Sequence, residues 1–156
     1  MITTFIGPMF SGKSDKLIEV YDKIYNKDNV ICFKPVYDNR NLGVIYSRNK
    51  SVELKCYLIT QFEDILFILQ GLNKPFTGKV ILIDEAQFIQ GSVQVLNYLS
   101  LKKNFDIYIA GLTLTSSLKP FRVYATNFIY YRQSSKTNRC LLLLWKNSKL
   151  YKMFST

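Results

Sequence analysis

Gly7-Pro8-Met9-Phe10-Ser11-Gly12-Lys13-Ser14 satisfies the pattern G-x-x-x-x-G-K-[ST] in full. It follows a short apolar run, Ile2 to Ile6, and precedes Asp15 to Tyr25, where Leu17, Ile18, Tyr21 and Ile24 recur at the spacing of one helical face. Strand, glycine-bearing loop and helix in that order form the setting in which the motif holds phosphate. Phosphate oxygens need several converging donors. Backbone N–H groups in a glycine-permitted turn supply them, beside the positive end of a helix. Lys13 is placed for the β- and γ-phosphates and the Ser14 hydroxyl for a magnesium shell, so an ATP site is expected over Gly7 to Ser14. A chance glycine turn is the plain alternative, and the flanking strand and helix count against it.

Outward from the loop, strands and helices alternate. Val30 to Phe33 reads as a strand, Gln61 to Leu72 as a helix, Val80 to Ile83 as a strand covered on both faces, Gly91 through Leu99 as a helix and Ile107 to Ala110 as a further buried strand. This order predicts an α/β fold of the P-loop NTPase-like (RecA-like) kind, a mostly parallel sheet flanked by helices that binds ligands at the carboxyl ends of its strands. Beyond Phe121 the pattern weakens, because Val123 to Tyr131 is aromatic and β-prone while Leu141 to Trp145 is a bare apolar run. A short irregular C-terminal region is expected there. The division is residues 1–121 as the core and 122–156 as the remainder.

Val80-Ile81-Leu82-Ile83 leads directly into Asp84-Glu85. Adjacent side chains on an extended strand face opposite sides, which would direct Asp84 to the magnesium shell and Glu85 to the acceptor pocket, where it can take a proton from a hydroxyl. Alone, the two carboxylates would read as a polar strand end with salt bridges. Beside a complete phosphate loop, the catalytic reading is preferred.

With 156 residues the chain fits one domain, and 48% apolar with 15% aromatic residues is the composition of a packed globule. No apolar run approaches the roughly 20 residues needed to span a bilayer, so no membrane association and a cytoplasmic location are expected. Cys32, Cys56 and Cys140 are odd in number and widely spaced, which suits reduced thiols, and a chain with no histidine is a poor candidate for zinc. The net charge of +10 favours polyanions without naming one. No acidic residue follows Asp106. Phe128-Ile129-Tyr130-Tyr131-Arg132 reads either as a strand with a solvated basic face, which is preferred, or as a stacking surface for nucleic acid.

Asp84-Glu85-Ala86-Gln87 invites comparison with helicases, but a helicase closes two such lobes on its strand and only 35 residues follow Phe121. The chain instead resembles the cellular-type thymidine kinases through four blocks in matching order. These are Gly7 to Ser14, with Pro8-Met9-Phe10 its most specific part; Phe33-Lys34-Pro35 with Asp38, Arg40, Ser47 and Arg48; Ile83 to Phe88; and Gly111-Leu112 followed by Lys119-Pro120-Phe121.

The resemblance implies a homotetramer that moves the γ-phosphate of ATP to the 5′-hydroxyl of thymidine, with Mg²⁺ held by Ser14 and Asp84. Glu85 would be the base, and Asp38 and Arg40 would lie near the reacting groups. Asp84, Glu85, Ala86 and Gln87 would border ATP. Met9, Phe88, Leu112 and Ser116 would meet the nucleoside. Met9, Phe88 and Leu112 could equally be ordinary core, and Asp38 with Arg40 a loop ion pair.

The chain departs from the family where G-L-D-x-x-F stands as Gly111 to Ser116, which places Thr113 for the aspartate and Ser116 for the base-contacting phenylalanine. If Ser134 to Arg139 matches the family's A-x-x-T-x-R stretch, the first zinc cysteine pair falls on Asn127 and Tyr130, and the second pair is absent. Residues 122–156 thus read as a diverged remnant of the family's zinc and lasso region. The V-G-G-x-x-x-Y stretch of the loop that closes over thymidine is missing as well. The phosphate half of a kinase is therefore more complete than the nucleoside half, and the competing reading is a weakly active nucleotide-binding module with a basic tail that holds nucleic acid.

Overall fold

The structure is a computed structural model. It describes residues 1–8, 10–38, 43–47, 52–72, 79–92 and 94–112, together with the backbone of two later strands, Phe128–Tyr131 and Leu141–Trp145. The strands are β1 (Ile2–Ile6), β2 (Val30–Pro35), β3 (Val44–Ser47), β4 (Val52–Lys55), β5 (Tyr57–Ile59), β6 (Val80–Ile83), β7 (Asp106–Gly111), β8 (Phe128–Tyr131) and β9 (Leu141–Trp145). The α-helices are α1 (Lys13–Lys23), α2 (Glu63–Gly71) and α3 (Gln94–Lys102).

The main sheet has the order β5-β2-β6-β7-β1-β9-β8. The first five of these strands run parallel, and β9 and β8 join antiparallel. Alternation along the parallel strands builds two apolar layers. Ile31, Phe33, Ile81, Ile83, Ile107 and Ile109 face α2 and α3, where Phe62, Ile65, Leu69, Leu96 and Leu99 cover them. Cys32, Leu82, Phe5 and Ala110 face the other way, against Leu17 and Ile18 of α1 and the inward residues Ile45 and Leu54 of the β3–β4 hairpin. Burial on both faces is why the central strand β6 reads as a continuous apolar run.

Strand order also positions the site. β7 lies between β1 and β6, so the loop after β1 and the carboxylates after β6 are separated by one strand. α1 packs on the layer that contains Leu82. Asp84 is two residues beyond Leu82, and its N–H prolongs the β2 pairing by donating to the Phe33 carbonyl at 3.1 Å. Its side chain is thereby directed to the α1 side.

Several boundaries move. α1 starts at Lys13, before the predicted Asp15, because left-handed Gly12 (φ 80°) is its N-cap and leads straight from the loop into the helix. α2 and α3 are each shorter at their starts than the spacing suggests. The hairpin β3–β4 and the edge strand β5 carry too few residues for a periodic signal, and the sequence reading assigned them no element. Phe128–Tyr131 forms a strand, and the basic face expected with it, including Arg132, lies outside the described residues. The expectation of an irregular C-terminal region needs correcting at Leu141–Trp145, which pairs with β1 (Thr3 with Leu144, Ile6 with Leu141) and covers an edge that would otherwise leave backbone donors and acceptors unpaired.

Candidate functional site

The loop after β1 turns with Phe10 at φ 62° and Gly12 at φ 80°. Phe10 is 79% exposed, so this aromatic ring stands outside the core. Lys13 is buried and folds back over its own loop, where its Nζ donates to the Pro8 carbonyl at 2.6 Å and to Ser11 Oγ at 3.3 Å. The cation is thus held at the mouth of the loop by neutral oxygens, which phosphate oxygens can replace with a charge-assisted contact.

Ser14 Oγ lies 3.2 and 3.1 Å from the two carboxylate oxygens of Asp84 and donates to them. Residues 70 positions apart in sequence therefore form one cluster of hard oxygen donors. Such a pair suits Mg²⁺, which takes one or two protein oxygens and completes its shell with phosphate and water. Asp84 is only 4% exposed, and its carboxyl is pushed up to about 6, first by burial and then by the charge of Glu85. Lys34, the Ser14 hydrogen bond and the Glu85 N–H, which donates at 3.0 Å, act in the opposite direction.

The separation of the two carboxylates differs from the strand-alternation argument. β6 ends at Ile83, and Glu85 takes a left-handed backbone, φ 50° and ψ 40°. That turn, rather than a pleat, sets where the Glu85 side chain leaves the backbone, and its charge still acts on the Asp84 carboxyl. A 3₁₀ turn over Ala86–Phe88 follows. Ala86 is buried in the core layer with α2 and α3, whereas Phe88 is 40% exposed. Gln87 is buried, with its Nε2 donating to Glu85 Oε2 and its Oε1 accepting from the Leu112 N–H at 3.0 Å. Glu85, Gln87 and Leu112 thus meet where β6 and β7 end.

Asp38 is buried in an ion pair with Lys34 at 2.9 Å, each side chain 4% exposed, and Lys34 Nζ also donates to the Val44 carbonyl at 3.2 Å. Met9, Arg40 and Ser116 lie outside the described residues. Two groups carry weight that the sequence reading did not assign. Lys34 places a buried cation where it opposes the proton affinity of Asp84. Ser47 Oγ donates to Asp15 Oδ1 at 2.6 Å, which fastens the β3–β4 hairpin to the first turn of α1, next to Ser14. In the sequence both belong to a stretch similar to the family's, and neither spacing nor composition signals a contact across elements.

The cysteines on this side of the sheet are thiols. Cys32 is buried, and the Cys32 thiol and then burial push the proton affinity of Cys56 up. Among the described residues, no three His, Cys, Asp or Glu side chains cluster as a metal site, and no helix is long and apolar enough to cross a membrane.

The family model described as thymidine kinase matches residues 1–137. A thymidine kinase of Aster yellows witches'-broom phytoplasma is 34% identical over 125 residues, covering 77% of this chain and 56% of that protein. One from Pseudothermotoga lettingae is 30% identical over 123 residues, covering 77% and 63%. One from Mycoplasma genitalium is 30% identical over 117 residues, covering 74% and 52%. The chain thus matches between about half and two-thirds of the length of these relatives.

Proposed function

Since the chain belongs to the thymidine kinase family, we propose that it transfers the γ-phosphate of ATP to the 5′-hydroxyl of thymidine. The observation that carries this reading is the Ser14–Asp84 contact with Glu85, hydrogen-bonded by Gln87, next to it in the chain, an oxygen pair suited to a metal beside a carboxylate suited to a base at the end of one strand. The loop N–H groups and Lys13 hold the phosphates. Ser14 and Asp84 hold Mg²⁺, which when bound neutralises charge on the β- and γ-phosphate oxygens.

Glu85 accepts the proton of the 5′-hydroxyl. A bond forms between that oxygen and the γ-phosphorus, and the bond to the β-bridging oxygen breaks to release ADP. Asp84 to Gln87 border ATP, with Asp38 and Arg40 close to the reacting groups. Met9, Phe88, Leu112 and Ser116 form the nucleoside side. Residues 1–121 are the catalytic core, and 122–156 are the diverged counterpart of the family's zinc and lasso region. A cytoplasmic homotetramer without zinc completes the proposal.

The test is formation of thymidine monophosphate from thymidine, ATP and magnesium by the full chain. Product should form and should be lost with Glu85→Gln. Well-folded protein that yields no product, or a yield that Glu85→Gln leaves unchanged, sinks the proposal.

A further inference from the structure

We infer that Gln87, within the segment proposed to border ATP, is a positioning residue whose side-chain amide orients the Glu85 carboxylate and ties it to the end of β7, and that this amide makes no contact of its own with ATP. The inference rests on the reading of Glu85 as the base.

Glutamine carries a donor and an acceptor on one planar group. Here both ends are engaged by the protein, the donor on Glu85 Oε2 and the acceptor on the Leu112 N–H. Gln87 is 8% exposed, so breaking either contact leaves a polar group poorly hydrated. Its backbone sits in a short, closed turn, with the Phe88 N–H donating to the Glu85 carbonyl and the Ile89 N–H to the Ala86 carbonyl, each at 3.1 Å. The amide thus projects from a fixed base and bridges the ends of two neighbouring strands, β6 and β7.

Glutamate has three side-chain rotors, and a general base works only within hydrogen-bond reach of the proton it takes. A hydrogen bond to one carboxylate oxygen selects the rotamer. Because the other end of the amide holds Leu112, the base is set against the segment expected to meet the nucleoside. No other uncharged side chain of this length supplies both contacts. Glutamate at position 87 would keep an acceptor for Leu112 but would oppose the Glu85 carboxylate with a second one.

The test uses the full chain with saturating thymidine and compares Gln87→Leu, Gln87→Glu, Glu85→Gln and the double variant Gln87→Leu with Glu85→Gln. Gln87→Leu should lower kcat about 10- to 100-fold, as expected when a reacting group is misplaced. The KM for ATP should stay within about twofold. Gln87→Glu should lower kcat at least as far, and it decides the matter if the leucine variant does not fold. In the Glu85→Gln background, Gln87→Leu should cause no further loss, because the group it positions is already gone.

A raised KM for ATP at unchanged kcat would place Gln87 on the nucleotide and overturn the inference. So would a Gln87→Glu variant at the parental rate, or a full additional loss in the double variant. Glu85→Gln at the parental rate would instead remove the base reading itself, and this inference with it.

Discussion

On the side of the site proposed to hold magnesium, Ser14 of α1 touches the buried Asp84 at the end of β6, and burial pushes the Asp84 carboxyl up to about 6. On the base side, one residue further along, Glu85 sits on a left-handed turn and is held by a neutral amide. In the proposed reaction the two regions divide the demands of phosphoryl transfer. A metal ligand can be stored at an energetic cost in burial that the cation later offsets, whereas a base needs a fixed direction and access to the acceptor. The left-handed backbone of Glu85 is where the two proposed roles part along the chain.

The comparison is broken most severely at the base. Glu85→Gln should reduce turnover by about 10²–10⁴ while leaving ATP binding near the parental value and not lowering the thermal midpoint, since its proposed role lies in proton transfer, an oxygen still accepts from Gln87, and a charge that opposes Asp84 ionisation is removed. Loss of ATP affinity measured by titration would mean that the two sides are not separable.

Asp84→Asn should act in the reverse manner on stability. The folded protein holds the Asp84 proton to about 6, whereas an ordinary aspartate loses it near 3.8. Between those values the folded state binds more protons than the unfolded state, so this contribution to stability falls as pH rises and levels off above about pH 6. The deficit there is at most about 3 kcal/mol. In metal-free protein at pH 7, Asp84→Asn should therefore raise the thermal midpoint, the gain should vanish below about pH 4, and phosphoryl transfer should be lost. A midpoint lowered at neutral pH, read by calorimetry, would contradict a stored burial cost.

Gly12→Ala sharpens the contrast in the loop. A Cβ there would come no closer than 3.6 Å to Asp15 Oδ2, so space is available and the penalty is the left-handed φ of 80° alone. Its cost should be about 1–2 kcal/mol, seen together in denaturant titration and in weaker ATP binding. Gly91 provides the reference. There the φ is 85° and a Cβ would displace the carboxylate end of Glu63, which can swing aside at the expense of its Ser92 N–H hydrogen bond, so Gly91→Ala should destabilise at least as much without acting on the loop.

The smallest effect is expected at Ser47→Ala, which removes the hydroxyl that binds Asp15. A loss of about 1 kcal/mol of stability, with KM for ATP rising more than kcat falls, would show that the hairpin steadies the first turn of α1. An unchanged KM would confine Ser47 to the fold.

Legibility in the sequence followed the same division. β6 was visible because a strand covered on both faces is apolar along its length, β1 and β7 because most of their residues are apolar or small, and the phosphate loop because its glycines and lysine are close in the chain. The hairpin Val44 to Lys55 and the edge strand Tyr57–Ile59 escaped because their residues alternate over too few positions for a period to emerge. Lys34 could be quoted in a stretch, but its buried pairing with Asp38 and its pull on Asp84 depend on packing. Gln87 shows the same limit, since a glutamine in a turn gives no sign of the strand end to which it will bind.

By itself the sequence determined the alternating α/β order, the phosphate loop and the presence of a carboxylate pair at the end of a buried strand, because each of these is written in neighbours along the chain. Only the tertiary structure decided that Ser14 would reach Asp84 over the intervening β7, that Glu85 would leave the strand by a left-handed turn, and that Leu141–Trp145 would close the edge beside β1. Those outcomes arise from contacts between distant segments. They are fixed by burial and by hydrogen bonds left to be satisfied, which no local pattern encodes.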